Sequence, residues 1–426
     1  MRGKLNIFQK TMLLWAGMHP YNAVHAVIIN SPPDRERLLR SIRGFIEMNG
    51  PGMLSMLEDG KTVEFRRGGV APDVEFINGA GNPVQKVAQE MQRQINLPFE
   101  GKTFMPLRFF VVEGRGFFYL GVTYFHAVSD AVSIIGFIRA IVDSYKKGEV
   151  LVWEVKPYTS GLTIRKTVKM RYLFNWLYDL PAHIRQLRRL FRPEYEDDKD
   201  MENGFVLFRI GCSDFKRLRD TARAWKVTVN DLFIAILMKA VAPLAGRRWD
   251  QVRRREIAVK SIVDIRRDLD IVDAGTMGLF LGAFSVSHDS PESTDLRRLV
   301  SEIHLQTEII KERKLYLGTI MELALSFFLL KRFFAERKEK FYSKYYPHWG
   351  GITNINMDSL WGNDAGEGSP VDYIRAVSTG PVVPVVFSIT TVNDQVSVGV
   401  SYRKAAFSED AVGGIVSRFS GEISGL

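Results

Sequence analysis

Strand-like and helix-like segments alternate along both halves of this 426-residue chain, and this alternation limits the fold more than any other feature. In the first half, residues 109–113 and 117–125 are rich in aromatic and β-branched residues and flank Gly114-Arg115-Gly116, which predicts a hairpin. From residue 130 to residue 147 the apolar side chains recur at helical spacing, and Gly148 is placed to end the helix. We therefore expect His126 in the short loop where a strand passes into a helix.

The second half repeats this mixture of strands and helices. One helix is expected to start near Ser213, another after a Thr228 cap and a third at about Ser408. Further helices are predicted within 293–313 and 318–345, and strands over 205–210, 257–265, 352–356, 385–392 and 396–402. Because the composition changes between the halves, we place the domain boundaries there. Residues 1–160 form the first half, 161–203 a basic amphipathic helical linker and 204–426 the second half.

Positive charge is concentrated in two segments of the chain. The chain carries 58 Lys and Arg against 48 Asp and Glu, a net charge of +10; residues 164–192 contribute +7 and residues 331–344 contribute +4, so the remainder sums to −1. The first segment is predicted to form two helices separated by Pro181. Residues 164–192 and 315–344 have the composition of interfacial helices attracted to anionic lipid. Core-packed helices with solvated basic faces fit the same pattern, and an acidic acyl carrier protein would suit the same charge. No nucleic-acid-binding motif accompanies these residues, so we expect no nucleic-acid partner.

Several classes of protein are excluded by what the sequence lacks. Cys212 is the single cysteine, which rules out an internal disulfide framework and a zinc site with several thiolates. There is no Walker-type glycine loop, no Gly-x-Gly-x-x-Gly after a strand, no His-Glu-x-x-His and no Gly-x-Ser-x-Gly. Seven histidines are present, and no two have the spacing of a helical metal pair. We expect a cytoplasmic protein, soluble or resting on the inner face of a membrane, without a bound metal or cofactor.

The remaining chemical motif is His126-Ala127-Val128-Ser129-Asp130. A histidine on a loop at the end of a strand, flanked by aromatic residues that exclude water, is well placed to act as a neutral general base near pH 7. A partly buried histidine followed by a helix-capping aspartate, with no catalytic role, would give the same five-residue motif. The context of the motif in the rest of the chain favours the catalytic interpretation.

Taken together, the motif and four later segments resemble the HxxxD acyltransferase superfamily, which includes chloramphenicol acetyltransferase, alcohol acyltransferases, wax-ester synthases and the condensation domains of nonribosomal peptide synthetases. The opening Leu5-Asn6-Ile7-Phe8-Gln9 with His19-Pro20-Tyr21-Asn22 looks most like stand-alone bacterial condensation-like acyltransferases. The later segments that match family landmarks in order are Thr228-Val229-Asn230-Asp231-Leu232-Phe233, Val263-Asp264-Ile265-Arg266, Gly278-Leu279-Phe280-Leu281-Gly282 and Ile352-Thr353-Asn354-Ile355.

The resemblance implies an α/β fold, with two chloramphenicol acetyltransferase-like halves forming a pseudo-dimer around a central tunnel. An acyl thioester, on coenzyme A or an acyl carrier protein, would meet a fairly apolar alcohol or amine there. His126 is implied as the general base. Asp130 is implied to point away from the substrate and to pair with Arg266, which holds the histidine loop in shape. Asn354 and Thr353 are candidates to line the tunnel or bind the oxyanion, with a simple strand-end role as the alternative. Ser129 is a further candidate for the tunnel wall or the oxyanion, and it is expected to act as a cap rather than as a nucleophile.

Two positions depart from the family pattern. Condensation domains usually carry two adjacent histidines, whereas this chain has Phe125 before His126. Versions with a single histidine are normal among the family's other acyltransferases. The residue after the aspartate is usually glycine, and Ala131 would narrow the acceptor channel. The alternatives to the acyltransferase prediction are a condensation-type protein that forms amides on carrier-protein-bound substrates and an inactive binding module of the same fold. We expect a monomer.

Overall fold

In a computed structural model the chain folds into two α/β lobes, each built on one mixed β-sheet. The structure describes residues 2–49, 53–56, 62–66, 71–152, 156–157, 170–271, 276–334, 338–361 and 372–426. The strands are β1 (Arg2–Lys4), β2 (Asn22–Ile29), β3 (Met53–Met56), β4 (Thr62–Arg66), β5 (Val74–Asn78), β6 (Thr103–Phe104), β7 (Leu107–Glu113), β8 (Phe118–Phe125), β9 (Lys156–Pro157), β10 (Asn203–Ile210), β11 (Ile257–Asp264), β12 (Thr276–Met277), β13 (Leu281–His288), β14 (Gly350–Asn356), β15 (Tyr373–Val377), β16 (Val385–Val392) and β17 (Gln395–Arg403). The helices are α1 (Ile7–Ala16), α2 (Arg35–Asn49), α3 (Pro83–Asn96), α4 (Ala131–Lys147), α5 (Met170–Arg189), α6 (Cys212–Trp225), α7 (Val229–Val241), α8 (Leu296–Glu312), α9 (Thr319–Phe333), α10 (Lys338–Tyr345), α11 (Asp358–Trp361) and α12 (Glu409–Ser424).

The first lobe is organised around a five-stranded sheet in the order β15-β2-β8-β7-β5. Every residue of β8 is buried, because α2 and α4 cover one face of the sheet and α3 covers the other. Gly121 lies at the centre of β8, where a Cβ atom would come within 2.1 Å of the Phe110 ring. The aromatic packing of this sheet therefore requires glycine at that position.

The second lobe is organised around a six-stranded sheet in the order β10-β17-β16-β14-β11-β13. Its core helix α7 starts at a capping box in which Thr228 and Asp231 satisfy each other's backbone N–H groups. By length and composition the stretch Val229–Asp250 could cross a membrane, but 67% of its most apolar window is buried inside the protein, and core helices pass the same test.

Strand β15 connects the two lobes. It follows β14 along the chain, yet it pairs antiparallel with β2 at the edge of the first sheet, with Arg375 opposite His25. On its other side β15 approaches β17 so closely that a Cβ atom on Gly399 would lie 2.1 Å from the Arg375 carbonyl oxygen. The second part of the chain thus completes the sheet of the first lobe. The predicted boundary at residue 160 stays a prediction, since residues 158–169 lie outside the described residues.

The predicted linker differs from the structure in one respect. Residues 170–189 form the single helix α5 with Pro181 inside it, whereas two helices separated by Pro181 were expected. A proline removes one helical hydrogen bond, here to the Leu177 carbonyl, without ending the helix when that side of the helix faces solvent. Both Pro181 and Leu177 are exposed. Residues 164–169 of the same prediction lie outside the described residues.

Candidate active site

The loop that carries His126 is fixed at both ends by backbone hydrogen bonds. The His126 N–H donates to the Tyr21 carbonyl at 3.2 Å, immediately after β8 ends. Four residues later the Asp130 N–H donates to the Gly278 carbonyl at 2.9 Å, and Asp130 caps α4 by accepting from the Ser133 N–H at 3.0 Å. Tyr21 precedes β2 of the first sheet and Gly278 precedes β13 of the second, so the loop is held by both lobes.

The imidazole of His126 is oriented by its own loop. The ring is 8% exposed, and its Nδ1 atom lies 2.9 Å from the Ser129 carbonyl oxygen. Because a carbonyl only accepts, Nδ1 carries the hydrogen, and the lone pair of the neutral ring is on Nε2. The ring stacks on Tyr21 with centroids 5.4 Å apart and contacts Tyr124 edge-on at 5.7 Å. Burial lowers the pKa of His126 below its ordinary value of 6.5, which keeps the ring neutral near pH 7.

The carboxylate of Asp130 is fully buried and accepts three hydrogen bonds. Oδ1 accepts from the Ser133 N–H and from Arg266 Nη2 at 2.6 Å, and Oδ2 accepts from the Phe280 N–H at 3.0 Å. The guanidinium of Arg266 also lies over the Phe280 ring, 4.6 Å from its centroid, and bonds Asp264 at 3.1 Å. The structure therefore brings Asp130 and Arg266 together, and their contacts join the histidine loop to the second lobe.

A cavity of about 170 Å³ lies between the lobes beside His126. It is lined mainly by apolar side chains from α1, α9 and both sheets, together with His25, Tyr124, Lys260 and Arg375. Neither Asp130 nor Arg266 lines it, so these two residues position the loop without reaching a ligand in the cavity.

The other candidates from the sequence separate into two groups. Thr353 and Ala131 both line the cavity. The methyl group of Ala131 therefore occupies part of the cavity, at the position where a narrower acceptor channel was predicted. Asn354 is exposed and does not line the cavity, because alternate residues of β14 face opposite sides of the sheet. Ser129 is fully buried outside the cavity lining, and its contribution is the carbonyl that accepts from His126. Neither Asn354 nor Ser129 therefore lines this cavity, and an oxyanion role for either residue stays a prediction. The cap of α4 is Asp130 and not Ser129. Phe125 packs against Phe104 with ring centroids 5.4 Å apart.

Sequence reasoning missed the buried polar residues of the cavity wall. Arg375 is 3% exposed, and its guanidinium crosses from β15 to the second sheet, donating from Nε to Thr390 Oγ1 at 2.8 Å and from Nη2 to the Thr353 carbonyl at 2.9 Å. Burial lowers the pKa of Arg375 to about 10. His25 lies opposite Arg375, with Nδ1 2.8 Å from the Tyr373 hydroxyl. The sequence does carry a signal for these two residues, because Arg375 and His25 are each a single charged or imidazole side chain in the middle of an otherwise apolar strand.

Comparison with solved structures identifies the fold. The first condensation domain of the CDA synthetase matches 100% of this chain and 95% of its own, with a TM-score of 0.73 and 13% identity. This chain has the condensation-domain fold. The epimerization domain from the third module of tyrocidine synthetase B matches 100% of this chain and 96% of its own, with a TM-score of 0.66 and 15% identity. The condensation domain from the Monacolin K polyketide synthase matches 100% of this chain and 97% of its own, with a TM-score of 0.66 and 13% identity.

The condensation-domain fold confirms the predicted two-lobed fold class. No family model matches the sequence, and no curated protein matches it. Identities of 13 to 15% show the fold alone.

Proposed function

We propose that this protein transfers an acyl group from a thioester to an amine or hydroxyl acceptor, with His126 as the general base. The observation that carries the proposal is the orientation of the imidazole at the cavity wall. The Ser129 carbonyl fixes the hydrogen on Nδ1, which leaves Nε2 as the basic atom available to a ligand. A neutral, water-excluded histidine is suited to this role at pH 7.

The reaction needs few other groups. Nε2 removes the proton of the attacking amine or hydroxyl as the new carbon–nitrogen or carbon–oxygen bond forms, and the imidazolium then returns that proton to the thiolate as the carbon–sulfur bond breaks. A thioester carbonyl is already electrophilic, so positioning and one base supply most of the catalysis. Asp130 and Arg266 take part as positioning residues, since neither lines the cavity.

The fold favours condensation-type chemistry over ester formation from acyl-coenzyme A. Two of the three solved structures compared above are described as condensation domains, so an amine acceptor and a carrier-protein-bound thioester donor are the first substrates to test. A hydroxyl acceptor and a coenzyme A donor are the second pair of substrates to test. Acyl transfer by this route needs no further cofactor.

A thiol-release assay tests this proposal. Acyl carrier protein and coenzyme A thioesters of several chain lengths are offered with amine and alcohol acceptors to the wild type, to His126→Ala and to the control His288→Ala. His288 is partly buried, pairs with Glu302 at 2.9 Å and does not line the cavity. We expect release to fall by about 10²- to 10⁴-fold in His126→Ala alone. Equal release by all three proteins contradicts the mechanism, and no release with any donor favours a binding module.

We further propose that α5 and α9 bind an anionic membrane surface. The two helices are neighbours, since Trp176 packs where a Cβ atom on Gly318 would stand and His183 Nε2 lies 3.9 Å from Glu322 Oε1. Their outer sides expose an unusual number of large apolar side chains, which we call the α5/α9 face: Phe174, Leu177, Tyr178, Ile184, Leu325, Phe328 and Phe333.

Charge on the same helices selects the partner. Arg185, Arg188, Lys331 and Arg332 are exposed beside the α5/α9 face, whereas Asp179 of α5 is already paired with Arg313 at 3.0 Å. Aromatic side chains next to cations suit the interface of an anionic bilayer, where each cation near the surface contributes about 1 kcal/mol. A helix packed by its apolar residues into the core would have hidden these side chains, so the exposure favours the interfacial hypothesis over the core-packed one.

Vesicle co-sedimentation tests the membrane proposal. The wild type should sediment with phosphatidylserine-containing vesicles at low salt, and less with pure phosphatidylcholine or at high salt. Phe174→Ser combined with Phe328→Ser should weaken this binding. Leu305→Ser on α8 is the control, because Leu305 is as exposed as Phe328, at 60%, but lies outside the α5/α9 face. Its substitution should leave the binding unchanged. Failure to sediment, or equal sedimentation of the double variant, overturns the proposal. The proposal is also overturned if the protein does not bind vesicles but binds an acidic carrier protein, and if that binding requires Phe174 and Phe328.

A further inference from the structure

The cavity beside His126 carries positive charge without a matching acid. Its lining includes the two cationic side chains Lys260 and Arg375, and no Asp or Glu is among the described residues that line it. Lys260 projects from β11 on the cavity side, as does Ile262, while the intervening Ser261 is buried on the other side. A ligand in this apolar space therefore meets a positive electrostatic potential.

The two cations differ in what they already bind. The guanidinium of Arg375 donates to Thr390, to Thr353 and to the Ile389 carbonyl, so its hydrogen bonds stabilise the junction between the sheets. Lys260 has no hydrogen bond and no ion pair to another described residue. Its ammonium lies 5.1 Å from the centroid of the Tyr346 ring, a cation–π contact that leaves its three donors unused.

Among the described residues, no carboxylate lies close enough to Lys260 to form an ion pair. The nearest acidic influence is Glu322 of α9, which is more than 4 Å away, does not line the cavity and lies toward His183. Burial lowers the pKa of Lys260, and the charge of Glu322 acts in the opposite direction. Lys260 is only partly exposed, so its ammonium group has lost part of its contact with water. A bound anion would replace the lost interactions.

We propose that Lys260 binds an anionic group, a carboxylate or a phosphate, of a substrate that occupies this cavity. The proposal rests on the acyl-transfer function proposed above and narrows its substrate class. A dry cavity of about 150 Å³ accommodates a molecule the size of benzene. The roughly 170 Å³ found here is enough for a short acyl chain or a small amine together with one carboxylate. The anion can belong to the acceptor, to the acyl chain or to the phosphate of a thioester carrier.

A binding experiment that does not depend on catalysis tests the site first. Hexanoate, hexanamide and inorganic phosphate are titrated into wild-type protein, Lys260→Met and the control Lys239→Met while the melting temperature is followed. Lys239 is a partly buried lysine outside the cavity whose Nζ donates to the Thr294 carbonyl at 3.0 Å. We expect hexanoate or phosphate, but not hexanamide, to raise the melting temperature of the wild type and of Lys239→Met. Lys260→Met should lose this response; equal responses to hexanoate and hexanamide, or an unchanged response of Lys260→Met, overturn the proposal.

Kinetics then identify which substrate carries the anion. Donors on N-acetylcysteamine, which lacks a phosphate, are offered with matched pairs: an α-amino acid against its amide, and a dicarboxylic acyl chain against its methyl ester. A preference of about tenfold or more in kcat/KM for the charged member of one pair, absent in Lys260→Met, assigns the anion to that substrate. A preference only for phosphate-bearing carriers assigns it to the donor. Thiol release without any such preference in the wild type refutes the anion site but leaves the acyl-transfer function intact. A hexanoate response without thiol release supports the site and refutes the activity.

Discussion

The ion pair between Asp130 and Arg266 allows a sharp test of how the histidine loop is held. Arg266→Met would leave the Asp130 carboxylate, whose side chain is 1% exposed, with only the Ser133 and Phe280 N–H groups as donors. Removing one partner of a buried pair costs about 3–5 kcal/mol, because the other charge stays buried and uncompensated. The side chain of Arg266 is itself 12% exposed, so we expect a loss of about 3 kcal/mol in the free energy of unfolding.

Arg35 and Glu113 provide a matched control at the surface. Their two hydrogen bonds measure 2.7 and 2.6 Å, a geometry as good as that of the buried pair, but the side chain of Arg35 is 57% exposed. We expect Arg35→Met to lower the free energy of unfolding much less than Arg266→Met does, since water replaces the lost contact. Urea unfolding followed by tryptophan fluorescence measures both variants under the same conditions.

Activity gives the second readout of the same variants. If the ion pair positions His126, Arg266→Met should lose thiol release at temperatures where the protein is still folded, mainly in kcat, whereas Arg35→Met should not. Asp130→Asn with Arg266→Met should destabilise less than the sum of the single substitutions, because it removes both charges. The positioning role of the ion pair is refuted if Arg266→Met and Arg35→Met unfold at the same urea concentration, or if Arg266→Met keeps the wild-type kcat.

Four further outcomes are expected. Because burial lowers the pKa of His126 and the neutral ring is the active form, kcat/KM for an alcohol acceptor, which does not itself titrate here, should stay level around pH 7 and fall only below pH 6.5; a decline that begins above pH 7 contradicts this. Burial also lowers the pKa values of His25 and His348, so the unfolded chain binds more protons in acid, and the melting temperature should decrease as the pH falls below 6.5. Ala131→Gly should lower KM for bulkier acceptors more than for small ones in a series of amines, since Ala131 lines the cavity. Gly399→Ala should cost at least about 1–3 kcal/mol in urea unfolding, since its Cβ atom would collide with the Arg375 carbonyl; wild-type stability contradicts the close approach of β15 to β17.

Local patterns were enough to predict many of the elements. The strand that ends before His126, the helix from Ala131–Lys147 and the Gly148 cap follow from side-chain periodicity and end signals within a few residues of one another. Asn393 and Asp394 lie between the predicted strands 385–392 and 396–402, and both residues have the positive φ values, 47° and 61°, that a tight hairpin turn needs. Such features depend on the residues nearby and not on the other lobe.

The cavity wall could not be predicted in the same way. Thr353 and Asn354 are adjacent in sequence, and the pleat of β14 alone decides which of them faces the cavity, so an error of one residue reverses the prediction. Arg375 reaches Thr353 and Thr390 only because β15 leaves the second lobe and pairs with β2. Long-range pairing of this kind is set by the packing of whole sheets and leaves no periodic signal in the sequence.

The arrangement of these contacts has a consequence for specificity. His126 follows a strand of the first sheet and Lys260 lies on a strand of the second, so the distance between the base and the proposed anion site depends on how the lobes sit together. Two sets of contacts fix that relation. In the first, Asp130 accepts hydrogen bonds from Arg266 and from the Phe280 N–H. In the second, the guanidinium of Arg375 donates to residues of β14 and β16. An acceptor whose anion and nucleophile match this distance is therefore held at the base without further contacts. A substitution in either set of contacts should weaken the preference for charged substrates even though it touches neither His126 nor Lys260.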